Sequence, residues 1–139
     1  MARDVAGYSP TQVALHWIVV VLVAFQFLAH DGIEAAWRAF VRGDGAADVD
    51  ATILAYLHIA AGILVFLLAL ARIYLRFTRG APPPPADEPR LLQLVAEAVH
   101  GSIYLLLILL PVSGLVAWFL GVEKAGAAHE LLTTLLLAA

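Results

Sequence analysis

The residues with the clearest chemical potential are five histidines that lie in or beside long apolar segments. His58 lies inside the apolar run 50–79, which closes with Arg72, Arg76 and Arg79. An ionisable side chain at bilayer depth is costly, so it marks a candidate functional site. On a helix, the 14 residues from His58 to Arg72 place both on nearly the same face, roughly 21 Å apart along the axis. One helix therefore offers a metal ligand near one membrane surface and cations near the other.

Four apolar segments must position these residues. The chain is 63% hydrophobic with a mean hydropathy of +0.91, which is too apolar for a soluble domain and is typical of a membrane protein. Apolar spacing predicts helices over about 10–29, 52–77, 91–120 and 124–139. The fold class is therefore all-α, a membrane four-helix bundle, with residues 1–139 forming one transmembrane domain.

The segments between these helices also carry predictions. Residues 33–42 have the spacing of a short amphipathic helix on the membrane surface, with a plain surface loop as the alternative. Residues 43–50 are predicted as an acidic connector, and the four prolines at 82–85 as a stiff linker outside the bilayer. Ser9, Pro10 and Gln12 have the order of a helix start, with a capping serine and a glutamine three residues later.

Composition excludes several classes of site and partner. The chain has no cysteine, which excludes disulfides, iron–sulfur clusters, thiolate zinc sites and covalent haem attachment. A net charge of −3 without a clustered basic patch argues against nucleic acid as a partner. Any bound metal must therefore use histidine, carboxylate or methionine ligands.

Charge placement predicts the orientation and sorts the histidines into two layers. An N-terminus in the cytoplasm places Arg3, Arg72, Arg76, Arg79 and Arg90 inside and Arg38, Arg42 and Lys124 outside. In that topology His16 and His100 lie near the inner face, and His58, His129 and His30, at the end of the first helix, near the outer face.

His58 and His129 are predicted at similar depth on the second and fourth helices. Two histidines that face each other across a bundle core can bind a b-type haem from both axial sides. If the chain binds haem, Arg72 and Arg76 at the other end of the second helix would pair with haem propionates. The alternative for each histidine is a hydrogen bond between helices. This alternative is favoured over a ligand role for His30, and the two interpretations have about equal weight for His100. The alternative for the arginines is that their side chains extend to the membrane interface.

Several motifs resemble the bacterial cytochrome b561 family. They are YSPTQVALHW from Tyr8, HIAAG from His58, RIYLR from Arg72, HGSIYLLLILLPVSG from His100 and HELL from His129. The resemblance implies a four-helix membrane protein with two haems b. His58 and His129 would hold the outer haem, and His16 with a second histidine of the last helix the inner one. The sequence ends before that second histidine, and His100 is the possible substitute.

The expected function is electron transfer in the bacterial inner membrane, as a multi-pass protein. The resemblance implies an outer donor, with superoxide as the candidate, and the quinone pool as acceptor, with ubiquinone as the candidate. A variant is an anchor that passes electrons for a partner dehydrogenase. The alternative is a small non-catalytic subunit of a larger membrane complex, with one haem or none. Because the last helix is predicted to stop in mid-span, we expect the inner haem to be absent or weakly bound.

Overall fold

A computed structural model of the chain describes residues 7–43 and 49–139. Over these residues the fold is all-helical, as predicted. Its five helices are α1 Pro10–Leu28, α2 His30–Arg42, α3 Val49–Arg79, α4 Arg90–Leu120 and α5 Glu123–Ala138. Arg3 and most of the predicted acidic connector, residues 44–48, lie outside the described residues.

The start of α1 follows from its capping residues. The backbone N–H of Gln12 donates to Ser9 Oγ, and the Ser9 N–H donates back to Gln12 Oε1 at 3.0 Å, so two otherwise unpaired donors are satisfied. Gln12 Nε2 also donates to the Gly80 carbonyl at 3.1 Å. This bond fastens the beginning of α1 to the end of α3.

Helix α2 replaces the loop alternative for residues 33–42. It begins three residues earlier than predicted, at His30, so His30 belongs to α2 and not to the end of the first helix. The break lies at Ala29, whose backbone angles of −91° and 3° depart from the regular helix. Gly43 ends α2 in the left-handed conformation with φ of 67°, which glycine adopts without steric cost.

Helix α3 extends beyond both predicted ends of 52–77. Asp50 lies in its first turn and Arg76 and Arg79 in its last, so each charge opposes the partial charge of the helix end nearest to it. Helix α3 packs against α1, α2 and α4, and α5 packs along α4. We refer below to the α2 end of the bundle, where α1 ends and α3 begins, and to the opposite end, where α3 ends.

Three of the described helices, α1, α3 and α4, are long and apolar enough to cross a membrane. Helix α5 has 16 residues, roughly 24 Å of helix. The buried cluster at the centre of the bundle consists of Val19, Val65, Ala69 and Leu107. Many large apolar side chains face outward instead, as lipid-facing surfaces do. The chain is therefore a helical bundle of the lipid bilayer.

Candidate functional site

A cavity of about 440 Å³ opens between the helices at the α2 end. All five helices contribute to its lining, and His58 from α3 and His129 from α5 both face it. Their ring centres are 6.2 Å apart, with the ring planes inclined at 65°. Both side chains are half-buried. The structure thus brings together the two histidines that the sequence placed at similar depth, because α3 and α5 both start from this end.

His129 is oriented by a backbone carbonyl of α4. Its Nδ1 lies 2.8 Å from the Leu110 oxygen, and Ser113 Oγ donates to the same oxygen at 2.9 Å. A carbonyl oxygen only accepts hydrogen bonds, so Nδ1 of His129 carries the proton. The Nε2 lone pair is then free for a metal, in the arrangement by which protein sites fix a histidine ligand.

Two glycines make room beside these side chains. A Cβ at Gly114 would lie 3.1 Å from Cε1 of His129, closer than ordinary carbon contacts allow. A Cβ at Gly62 would lie 3.2 Å from Nε2 of Gln26. The imidazole of His129 and the amide of Gln26 can therefore occupy their positions only because the neighbouring helix carries a glycine at each contact.

Gln26 is a cavity residue to which sequence reasoning assigned no role. Its Nε2 donates to the His58 backbone carbonyl at 3.0 Å, which ties α1 to α3 beside the histidine. The available signal was a polar residue that interrupts the apolar run of the first helix. Oε1 of Gln26 and Nδ1 of His58 are both buried without a hydrogen-bond partner.

An aromatic cluster covers the cavity at the α2 end. Trp37 stacks on Phe40 with ring centres 5.5 Å apart, and Trp118 of α4 lies 6.3 Å from Trp37 and 5.9 Å from Phe40. The Trp37 ring also packs closely on Gly126 of α5. Helix α2 therefore closes the bundle with its apolar face, a role that its amphipathic spacing alone did not indicate.

The other predicted site residues at the opposite end do not line this cavity. His16 is exposed beside Trp17, within electrostatic range of Arg72 and His100. The Arg72 guanidinium lies 5.5 Å from the Tyr104 ring centre. Nδ1 of His100 lies 2.6 Å from the Ala96 carbonyl of its own helix. Arg76 is half-buried near the end of α3.

His30 lies at the rim of the cavity, in an exposed cluster. Its Nδ1 is 4.0 Å from Glu34, which in turn contacts Arg38 at 3.8 Å. Ligand atoms of His30, Asp31 and Glu34 lie within 4.8 Å of one another. The contacts of Glu34 with His30 and Arg38 are i, i+4 pairs of the kind that is common on helix surfaces.

The residues at the cavity fit a bis-histidine haem. A metal held by two imidazoles at bond lengths of about 2 Å separates the ring centres by roughly 6 Å, close to the distance between His58 and His129. The cavity volume lies in the range of cofactor pockets, and its walls include Val65 and Leu107. The unpartnered Nδ1 of His58 is a further sign of a ligand-dependent site.

Comparison with known proteins agrees with this chemistry. Residues 7–139 match the model of the prokaryotic cytochrome b561 family. The chain belongs to this family. A similar protein is cytochrome b562 of Cereibacter sphaeroides, 34% identical over 128 residues that cover 90% of this chain and 75% of the relative.

Two further relatives are more distant. They are the probable superoxide oxidase CybB of Yersinia pestis, 31% identical over 109 residues, and cytochrome b561 homolog 1 of Escherichia coli, 28% identical over 112 residues. Each match covers 78% of this chain, and the chain spans 56% and 57% of their respective lengths.

Family membership confirms the resemblance noted in the sequence and fixes the general function. The protein is a bacterial membrane cytochrome of the b type, which transfers electrons through haem b.

Proposed function

We propose that this cytochrome carries electrons between a donor at the α2 end and the quinone pool, with His58 and His129 as the axial ligands of one haem b. The observation that carries the proposal is the 6.2 Å separation of the two rings within one cavity. Haem b, when bound, supplies a one-electron iron couple.

The residues around His58 and His129 favour haem ligation and electron transfer. Leu110 holds the proton of His129 on Nδ1, so that Nε2 is directed to act as the ligand. Val65 and Leu107 give the cavity apolar walls. Trp37 and Trp118 lie over it at the α2 end and limit the access of water. A low local dielectric of this kind influences the redox potential of a bound iron.

The α2 end is proposed to face the outside, with the N-terminus in the cytoplasm. Arg42 of α2 and Lys124 of α5 are exposed at this end and are the proposed cations for an anionic donor, whereas Arg38 is paired with Glu34. One relative is named a probable superoxide oxidase, which supports superoxide as the donor. His16, with Arg72 and Arg76 at the opposite end, is proposed to mark the position of a second haem that binds weakly or not at all, with His100 as the alternative ligand there.

The ligand assignment is tested by haem content and spin state. Purified protein is assayed by a reduced-minus-oxidised visible spectrum, a pyridine haemochrome count and electron paramagnetic resonance. His58→Ala and His129→Ala should each remove the same low-spin haem. His30→Ala is the matched control, because His30 also borders the cavity but is not a proposed ligand. Either variant retaining this low-spin haem at normal stoichiometry would show the assignment to be wrong.

The donor is tested separately on the oxidised holoprotein. A superoxide-generating system should reduce the haem, superoxide dismutase should suppress the reduction, and an added ubiquinone analogue should reoxidise the haem. Reduction that is insensitive to dismutase would exclude superoxide as the donor while leaving the haem ligands unaffected.

A further inference from the structure

Gln26 places an amide group inside the haem cavity from the apolar helix α1. Its Nε2 lies 3.0 Å from the His58 carbonyl oxygen. Since a carbonyl oxygen only accepts, the NH₂ group faces it and Oε1 is the other end of the amide. Gly62, one turn after His58 on α3, leaves the space that the amide fills.

The two unpartnered polar atoms of the cavity belong to residues already in contact. Within residues 7–43 and 49–139, the buried side-chain polar atoms without a hydrogen bond are Oε1 of Gln26 and Nδ1 of His58. One is an obligatory acceptor, and the other is a ring nitrogen that carries a proton in one tautomer. Buried polar groups are normally paired, so both atoms require an explanation.

Iron ligation supplies that explanation. An imidazole that binds a metal through Nε2 carries its proton on Nδ1 and donates it to an acceptor. His129 has such an acceptor in the Leu110 carbonyl. For His58, the unused acceptor in the cavity is Oε1 of Gln26, whose Nε2 already donates to the His58 backbone carbonyl.

We propose that Gln26 is a positioning residue for His58: its Oε1 accepts a hydrogen bond from Nδ1–H of His58 when Nε2 of His58 binds the haem iron. This inference rests on the proposed ligation by His58 and His129. An acceptor on Nδ1–H makes the imidazole a more basic ligand, and a more basic ligand favours ferric over ferrous iron. Gln26 therefore lowers the midpoint potential of this haem.

The test is a redox titration of the purified holoprotein, followed by visible and electron paramagnetic resonance spectra. The relevant haem is the one whose low-spin signal is lost in His58→Ala. Gln26→Leu removes the acceptor and should lower the ratio of oxidised to reduced haem at a fixed potential about tenfold, a rise of roughly 59 mV for a one-electron couple. Gln26→Glu supplies a stronger, charged acceptor and should shift the potential in the opposite direction.

Gln12→Leu is the matched control. Gln12 lies on the same helix and makes the same kind of bond, from Nε2 to the Gly80 carbonyl of α3, but outside the cavity. Its loss should leave the oxidised-to-reduced ratio within about threefold of the wild-type value, since it does not touch a ligand.

Opposite shifts in the two Gln26 variants, with no comparable shift in Gln12→Leu, would support the inference. No shift, shifts in one direction, or an equal shift in the control would overturn it. If Gln26→Leu does not bind haem, the result for Gln26→Glu is decisive. A midpoint potential below the wild-type value supports the inference, and an unchanged or higher potential overturns it.

Loss of this haem from both Gln26 variants would also overturn the inference, because an acceptor beside an intact ligand pair tunes the haem and is not needed to hold it. Failure of the underlying ligation has a different result, namely that His58→Ala keeps the low-spin haem.

Discussion

Gly114 makes the closest approach to a proposed ligand, so Gly114→Ala tests how tightly the site is built. The added methyl would lie 3.1 Å from Cε1 and 3.2 Å from Nδ1 of His129. Favourable contacts between carbon atoms begin at about 3.5 Å, so the ring must retreat by about 0.4 Å. Catalytic and binding groups need placement to within about 0.5 Å, which means that this movement uses nearly all of the tolerance.

The same movement weakens the bond that orients the ring. The separation of Nδ1 and the Leu110 oxygen is 2.8 Å. A retreat along this direction lengthens it to about 3.2 Å, the upper limit of a good N–H···O bond. Complete loss of such an orienting partner typically lowers metal affinity about 10–100-fold, or about 1.4–2.7 kcal/mol, which is the upper limit for a bond that is only lengthened. Helix α4 itself gains, because alanine favours a helix over glycine by about 0.5–1 kcal/mol. We therefore expect weaker haem binding in a helix that stays folded.

The assay is haem titration of the apoprotein in detergent, with circular dichroism to measure helix content. Gly101→Ala is the matched control: Gly101 lies on the same helix, and a Cβ there meets no atom within 4 Å. It should bind haem as the wild type does. Wild-type affinity and an unchanged low-spin spectrum in Gly114→Ala would refute the packing argument, as would an equal loss in Gly101→Ala.

Two further predictions concern the topology and the aromatic cover. The chain has no cysteine, so Gly43→Cys and Pro83→Cys can be labelled singly in cells, and they should react from opposite sides of the membrane; labelling from one side would contradict the four-helix topology. Trp37→Ala removes the half-buried ring that packs on Gly126 and should lower the free energy of unfolding by about 2 kcal/mol, measured by thermal denaturation in detergent. Val41→Ala, an exposed position of the same helix, is its control, and an equal effect there would show that the ring's packing is not responsible.

The helices could be predicted from the sequence because their signals are local. Apolar length predicted the spanning helices, and the Ser9 and Gln12 pair predicted the first residue of α1 correctly. The errors lie at ends where polar residues continue a helix beyond the apolar run. Helix α3 begins at Val49 and ends at Arg79, outside the predicted 52–77, because its terminal charges favour the helix ends on which they lie.

The candidate site was predictable only for side chains that are unusual in an apolar helix. His58 and His129 stand out as ionisable residues, and the directions of their helices placed them at one depth. Leu110 does not stand out, because its contribution is a backbone carbonyl that every residue has. The role of Gly114 depends on a contact with His129 from another helix, and no spacing within α4 encodes this contact.

The two proposed ligands differ in the group that accepts the hydrogen bond from Nδ1. This difference decides at which ligand a single substitution can change the acceptor and, with it, the haem potential. The acceptor for His129 is the Leu110 backbone carbonyl, so exchanging the Leu110 side chain leaves it in place. The proposed acceptor for His58 is the side chain of Gln26, which a single substitution removes or charges. Changes in the strength of this acceptor are therefore expected to alter the potential of the haem from α1. A relative that works at a different potential is expected to differ at the position of Gln26 before it differs in α4 around Leu110.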